Sequence, residues 1–136
     1  MKDSSNALLA AVRARLLADP AIAAKCQDRV YDRPLGDNSL FPYVQLGETQ
    51  VLPWEAQCID GVQIYLTLHV WAREGWAGDD VRDICAAIYD SLHAQKFPVT
   101  GHDLQLIEHQ TTRVLRDPDG ETRHGVIEFS AYTTPA

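Results

Sequence analysis

A chain of 136 residues, 46% hydrophobic and 23% charged, is long enough to bury a sizeable core, and its composition is that of one folded domain rather than a disordered segment. Nineteen acids against twelve bases leave a formal charge of −7, which argues against nonspecific nucleic-acid binding, where a basic patch supplies most of the affinity. The same acidity suits a surface that DNA slides past without sticking.

The N-terminal "MKDSSNALLAAVRARLL" is interrupted by Arg13 and Arg15, so it does not read as a secretory signal. No segment approaches the roughly twenty apolar residues that cross a bilayer, and a soluble protein is expected. "DSSN" offers capping side chains ahead of "ALLAAVRARLLAD". Leu9, Val12 and Leu16, with Leu8 beside them, recur at helical spacing, which predicts an amphipathic helix. Asp19-Pro20 stops it, and "AIAAKC" adds at most another short turn.

Asp32 to Phe41 is rich in turn formers and reads as a loop. "PYVQLGETQ" is a predicted strand. "VLPWEAQCID" makes a poor central strand, because its proline cannot donate to a ladder, and reads as a loop carrying Leu52 and Trp54. "GVQIYLTLHVW" alternates cleanly: Val62, Ile64, Leu66, Leu68 and Val70 form one apolar face, and Gln63, Tyr65, Thr67, His69 and Trp71 the other. "AREGWAG" then turns the chain. Asp79 or Gly78 caps a second helix with its stripe at Val81, Ile84, Cys85, Ile88 and Leu92. After the linker "KFPVTGHD" come two strands, "LQLIEHQTTRVLR" and "ETRHGVIEFSAYTT", joined by "DPDG". Proline second and glycine fourth suit a type I turn extended by a glycine bulge. Pairing Asp117 with Glu121 sets His109 opposite Phe129, Thr111 opposite Ile127 and His124 opposite Val114.

The predicted order is α-β-β-α-β-β over residues 1–136. It implies an α+β domain with a mostly antiparallel, four-stranded or slightly larger sheet and two helices packed on one face.

Reactive-looking groups do not assemble into a site. No serine stands in a Gly-x-Ser-x-Gly elbow, and "GWAG" lacks the glycine spacing and lysine of a phosphate loop. Cys26, Cys58 and Cys85 are too scattered for a zinc site or a disulfide framework, which points to a reducing cytoplasm during folding. Cys85 falls on an apolar stripe and reads as core. The predicted register puts His124 and His102 on the face opposite His109, with His102 far along the strand, so the three cannot share an ion. His69 with Asp79 and Asp80 is a weak metal signal, since acids in a first helical turn oppose the helix dipole. No catalytic residue, metal or cofactor is therefore expected. Leu52 and Trp54 on a loop, with Tyr65 and Trp71 on a second sheet face and Trp76 in the turn, are instead expected at a subunit interface.

Nearly the whole chain resembles a known family, the tail terminator (tail completion) proteins of long-tailed phages and gene transfer agents. The likeness runs through "ALLAAVRARLLADPAI", "VYDRPLGDNSLFPYVQLGE", "YLTLHVWAREGW" leading into "VRDICAAIYDSLH", and "LRDPDGETRHGVIEFSAY". Its ordered marks are "FPYV-LG", a strand ending in "VW", and the closing "DPDG" hairpin. The resemblance implies a structural virion protein without catalysis, assembled in the host cytoplasm. Such proteins form a ring, commonly a hexamer, that caps the head-proximal end of the tail tube, stops its polymerisation and docks to the head connector. Its partners would be copies of itself, tail tube protein and a head connector or stopper protein; DNA would pass through the lumen unheld, and no membrane is involved. Six copies would carry 6 × −7 = −42. The competing readings are a neighbouring connector or minor tail protein of similar fold, a small metal-dependent hydrolase using His69, Asp79 and nearby histidines, and a dimeric binding domain with a small-molecule pocket.

Overall fold

The structure, a computed structural model, describes residues 1–33, 40–56, 59–73 and 79–136, the side chains of Ala56 and Asp79 excepted. Helix α1 (Ser5–Ala18) buries Leu8, Val12 and Leu16, so Leu8 rather than Leu9 completes the predicted stripe. The "DSSN" side chains divide their work. The Asp3 carboxylate accepts from the Ser5 N–H at 2.8 Å, while the Ser4 hydroxyl is buried in a 2.6 Å hydrogen bond with Thr133 of the last strand.

Asp19-Pro20 ends α1 and also starts a helix. The Asp19 side chain accepts from the Ala21 N–H, and Pro20 occupies the first position of α2 (Pro20–Cys26), where its missing N–H costs nothing. A short strand, β1 (Val30–Tyr31), then runs parallel to β2 (Tyr43–Ala56). The remaining elements are β3 (Ile59–Arg73), α3 (Asp79–Leu92), β4 (His102–Arg116) and β5 (Thr122–Pro135). The expected two helices and mostly antiparallel sheet of four or slightly more strands thus become, among the described residues, three helices on a five-stranded mixed sheet of order β1-β2-β3-β5-β4. A two-residue strand is too short to show alternation, which is why β1 is invisible in the sequence.

The expected loop at "VLPW" is a continuous part of β2. Pro53 lies opposite Val62, and β1 covers only Val44 and Gln45 of β2's other side. From Thr49 onward β2 is therefore a sheet edge among the described residues, and a proline there forfeits no ladder bond. The opposite edge, β4, is occupied along its first half. Ala94, at φ 58, donates its N–H to the Ile107 carbonyl, His93 Nδ1 accepts the His109 N–H, and the Lys96 ammonium reaches the carbonyls of Leu104 and Gln105.

All three helices lie on the face formed by Val62, Ile64, Leu66, Leu68 and Val70, none of them more than 1% exposed. Cys85 joins Val81, Ile84, Ile88 and Leu92 in that core as expected. Burial pushes the thiol of Cys85 up to about 12 and that of Cys26 up to about 11. Cys58 lies outside the described residues. In a Cys58→Ser variant, neither remaining thiol is expected to react with a disulfide reagent at pH 8 until the chain is unfolded. Prompt labelling of the native protein would refute that burial.

The β4–β5 hairpin differs from the predicted register by one residue and then recovers. The turn forms with Gly120 at φ 76 and its N–H on the Asp117 carbonyl. However, the Asp117 N–H bonds Thr122, not Glu121, so Leu115 rather than Val114 faces His124, and Thr111 faces Glu128 rather than Ile127. Asp119 is the cause: its carboxylate accepts from the N–H groups of Glu121 and Thr122 and from the Thr122 hydroxyl, holding Glu121 in the loop. A bulge between His109 and Thr111 takes the extra residue back, and His109 meets Phe129 as predicted. His109 and His124 remain on opposite faces. His102, opposite Pro135, is on the helix side by register and does not share His124's face.

Candidate assembly face

All of the described helices lie on one side, so among the described residues no helix covers the other face of the sheet. It carries the odd positions of β3 and the even positions of β5, which meet as Gln63–Tyr132, Tyr65–Ser130, Thr67–Glu128, His69–Val126 and Trp71–His124. An uncovered sheet face is ordinarily polar. This one is aromatic at both ends.

At the end near the β2–β3 turn, Trp54 packs its ring edge-on against Tyr132 at 5.0 Å. Gly61 lies directly opposite Trp54, and a Cβ there would stand 2.7 Å from the indole, so only glycine lets the ring lie down on the sheet. Leu52, opposite Gln63, is half-buried on the same face. In the middle, Tyr65 is 38% exposed, its hydroxyl accepting from Gln63 at 3.0 Å. At the far end Trp71 stacks on His124, ring centroids 3.7 Å apart and planes 9° from parallel. Four of the five sequence-predicted interface residues, Leu52, Trp54, Tyr65 and Trp71, therefore share one face. Trp76 lies outside the described residues. Trp71 is more engaged with its own subunit than a free anchor would be: its indole nitrogen is enclosed, without an acceptor among the described residues.

Sequence reasoning missed the histidine that belongs here. His69 Nδ1 and His124 Nε2 are 2.7 Å apart, and Glu48 Oε1 stands 3.5 Å from His69 Nε2. Burial, and then the charge of His69, holds His124 below the ordinary imidazole range. For Glu48, burial raises the carboxyl, but its own backbone N–H, the His69 charge and hydrogen bonds from Thr67 and His69 outweigh it and leave the group below the ordinary range. Asp80, a candidate partner of His69 by sequence, is paired instead with Lys25 of α2 at 2.8 Å. Only the β3–β5 pairing, which skips α3 and β4 in the chain, brings residues 69 and 124 together. On the helix side, His109 joins His93 and Tyr89 instead, and burial, then His93, lowers it. Among the described residues no three histidine, cysteine or acidic side chains converge as a metal site would require.

The sequence profile of the family described as "Tail completion protein gp17" matches residues 10–134. The chain belongs to that family. It is 27% identical over 93 residues to the tail completion protein gp17 of Bacillus phage SPP1, covering 68% of each chain. The fold of SPP1 gp17 superposes with a TM-score of 0.59 at 21% identity, over 94% of this chain and 88% of that one. A chain in the virion of a native gene transfer agent particle superposes with a TM-score of 0.88 at 23% identity, over 98% of this chain and 99% of that one. The tail completion family consists of structural virion components, not enzymes. An aromatic sheet face is the kind of surface a structural component uses to meet its neighbours.

Proposed function

We propose that this tail completion protein acts as a tail terminator. Copies close into a ring, a hexamer on the family resemblance, that caps the head-proximal end of the tail tube, halts its growth and presents a docking surface to the head connector. The observation that carries the reading is the bare sheet face bearing Leu52, Trp54, Tyr65 and Trp71 in a chain of this family. A closed ring built by rotation needs two different patches on each copy, so the bare face of one copy meets a different surface of the next. The net charge of −7 per chain supports a lumen that DNA crosses unheld.

Tyr65 separates assembly from folding, because it is exposed and central while Trp54 and Trp71 rest on their own sheet. Tyr65→Arg is expected to change unfolding free energy by only about 0.5 kcal/mol. It should also raise the concentration needed for assembly, alone or with tail tube protein, by about tenfold or more, as hot-spot aromatics do. Native mass spectrometry and particle images read both species, with exposed Asn6→Arg on α1 as the control. Wild-type assembly by Tyr65→Arg, or a wild type that stays monomeric even with tail tube protein, would sink the reading.

A further inference from the structure

The bare face contains a chain of three titratable groups on three adjacent strands: exposed Glu48 of β2 and half-buried His69 of β3 and His124 of β5. The two imidazoles are 28° from coplanar, with centroids 5.0 Å apart and nitrogens 2.7 Å apart. That combination places both nitrogens close to the line between the ring centres, so the ring nitrogens aim at each other. One proton between them makes a hydrogen bond, and a second leaves two N–H groups in collision. Glu48 beside His69 Nε2 draws that ring's proton to Nε2. His69 Nδ1 is then the acceptor and His124 Nε2–H the donor.

His69 cannot withdraw toward β2. Gly47 lies against it so closely that a Cβ would sit 2.7 Å and 2.8 Å from two of its ring atoms. Trp71 is stacked on His124, so a shift of that ring would carry Trp71 with it.

We propose that the Glu48–His69–His124 chain makes the assembly face proton-sensitive. Closed and holding one shared proton, the chain keeps Trp71 flat against the sheet. Doubly protonated, it parts, displaces Trp71 and places two adjacent cations on the face of every copy. The proposal rests on the reading of this face as the surface through which copies meet. The charged groups around His124 act in both directions. Besides His69 and Glu48, Asp117 at the β4–β5 turn favours its cation and Arg113 of β4 opposes it. The colliding second proton is the one on His69 Nδ1, and because His124 is held below its unfolded value, its own contribution to the stability of the closed arrangement is fully present above the ordinary imidazole range near 6.5. That stability is lost as pH falls through the folded value.

The test follows assembly by native mass spectrometry or sedimentation between pH 8 and pH 5, and histidine titration by NMR, on wild type, His124→Gln and His69→Gln. Wild type is expected to assemble about tenfold or more less tightly at pH 5 than at pH 7.5, with the His124 titration moving up in His69→Gln. Both variants should assemble with little pH dependence over the same range. Assembly that is insensitive to pH, or a His124 titration unchanged by His69→Gln, would overturn the proposal and leave the face reading intact. Failure to assemble at any pH would overturn both. Loss of assembly in His124→Gln at all pH values, with Tyr65→Arg harmless, would make the pair a structural strut and would also overturn the proposal.

Discussion

Phe129→Ala is expected to lower the unfolding free energy by about 3–5 kcal/mol, measured by urea or thermal denaturation. Phe129 is the largest of the fully buried side chains and sits mid-way along β5, opposite Leu66 on one neighbouring strand and His109 on the other. Its ring also meets His109 edge-on at 5.7 Å. Strands on both sides fix the backbone, so little can collapse into the space an alanine leaves, and the cavity cost adds to the lost burial. Against a total stability of roughly 5–15 kcal/mol for a domain of this kind, the variant stands near the threshold of folding. A loss under about 1 kcal/mol would mean that the core closes around the gap and is less rigid than its packing implies.

Gly125→Val acts by the opposite route, through overfilling, with an expected loss of about 1–3 kcal/mol or more. A Cβ at Gly125 would stand 2.8 Å from Cys85 Sγ and 3.0 Å from Val81, both on α3, so the helix would have to rise from the sheet. Gly101 supplies the contrast. Nothing lies within 4 Å of a Cβ there, yet its φ of +78 disfavours any side chain. Gly101→Ala should therefore cost about 1–2 kcal/mol from backbone strain alone, without disturbing helix packing. The two mechanisms separate by near-ultraviolet circular dichroism, which should change for Gly125→Val and not for Gly101→Ala. Equal stability losses with unchanged spectra in both would deny that α3 rests on Gly125.

Periodicity made the long elements readable. The alternation at Val62–Val70 and the stripe from Val81 to Leu92 each name a buried face, and burial is what those patterns encode. Pro53 misled because its meaning depends on whether a strand lies beyond it, which is a property of the sheet and not of the segment. The β4–β5 register missed by one residue because a single carboxylate, Asp119, lengthened the turn, and a bulge then cancelled the error at His109. Of the candidate assembly face, Tyr65 and Trp71 were legible from alternation alone. His124 was not, since its partner is 55 residues away on a strand that only the topology makes adjacent.

The occupied half of β4 and the proline in β2 also bear on growth. A naked strand is a template: each copy added exposes another, and addition has no natural end. Here one edge is already spoken for between Leu104 and His109, and the other lacks a donor at Pro53. Extension strand upon strand is thereby discouraged at both described edges of the sheet, and contact with a further protein is left to side-chain surfaces, which a closed ring of the kind proposed requires.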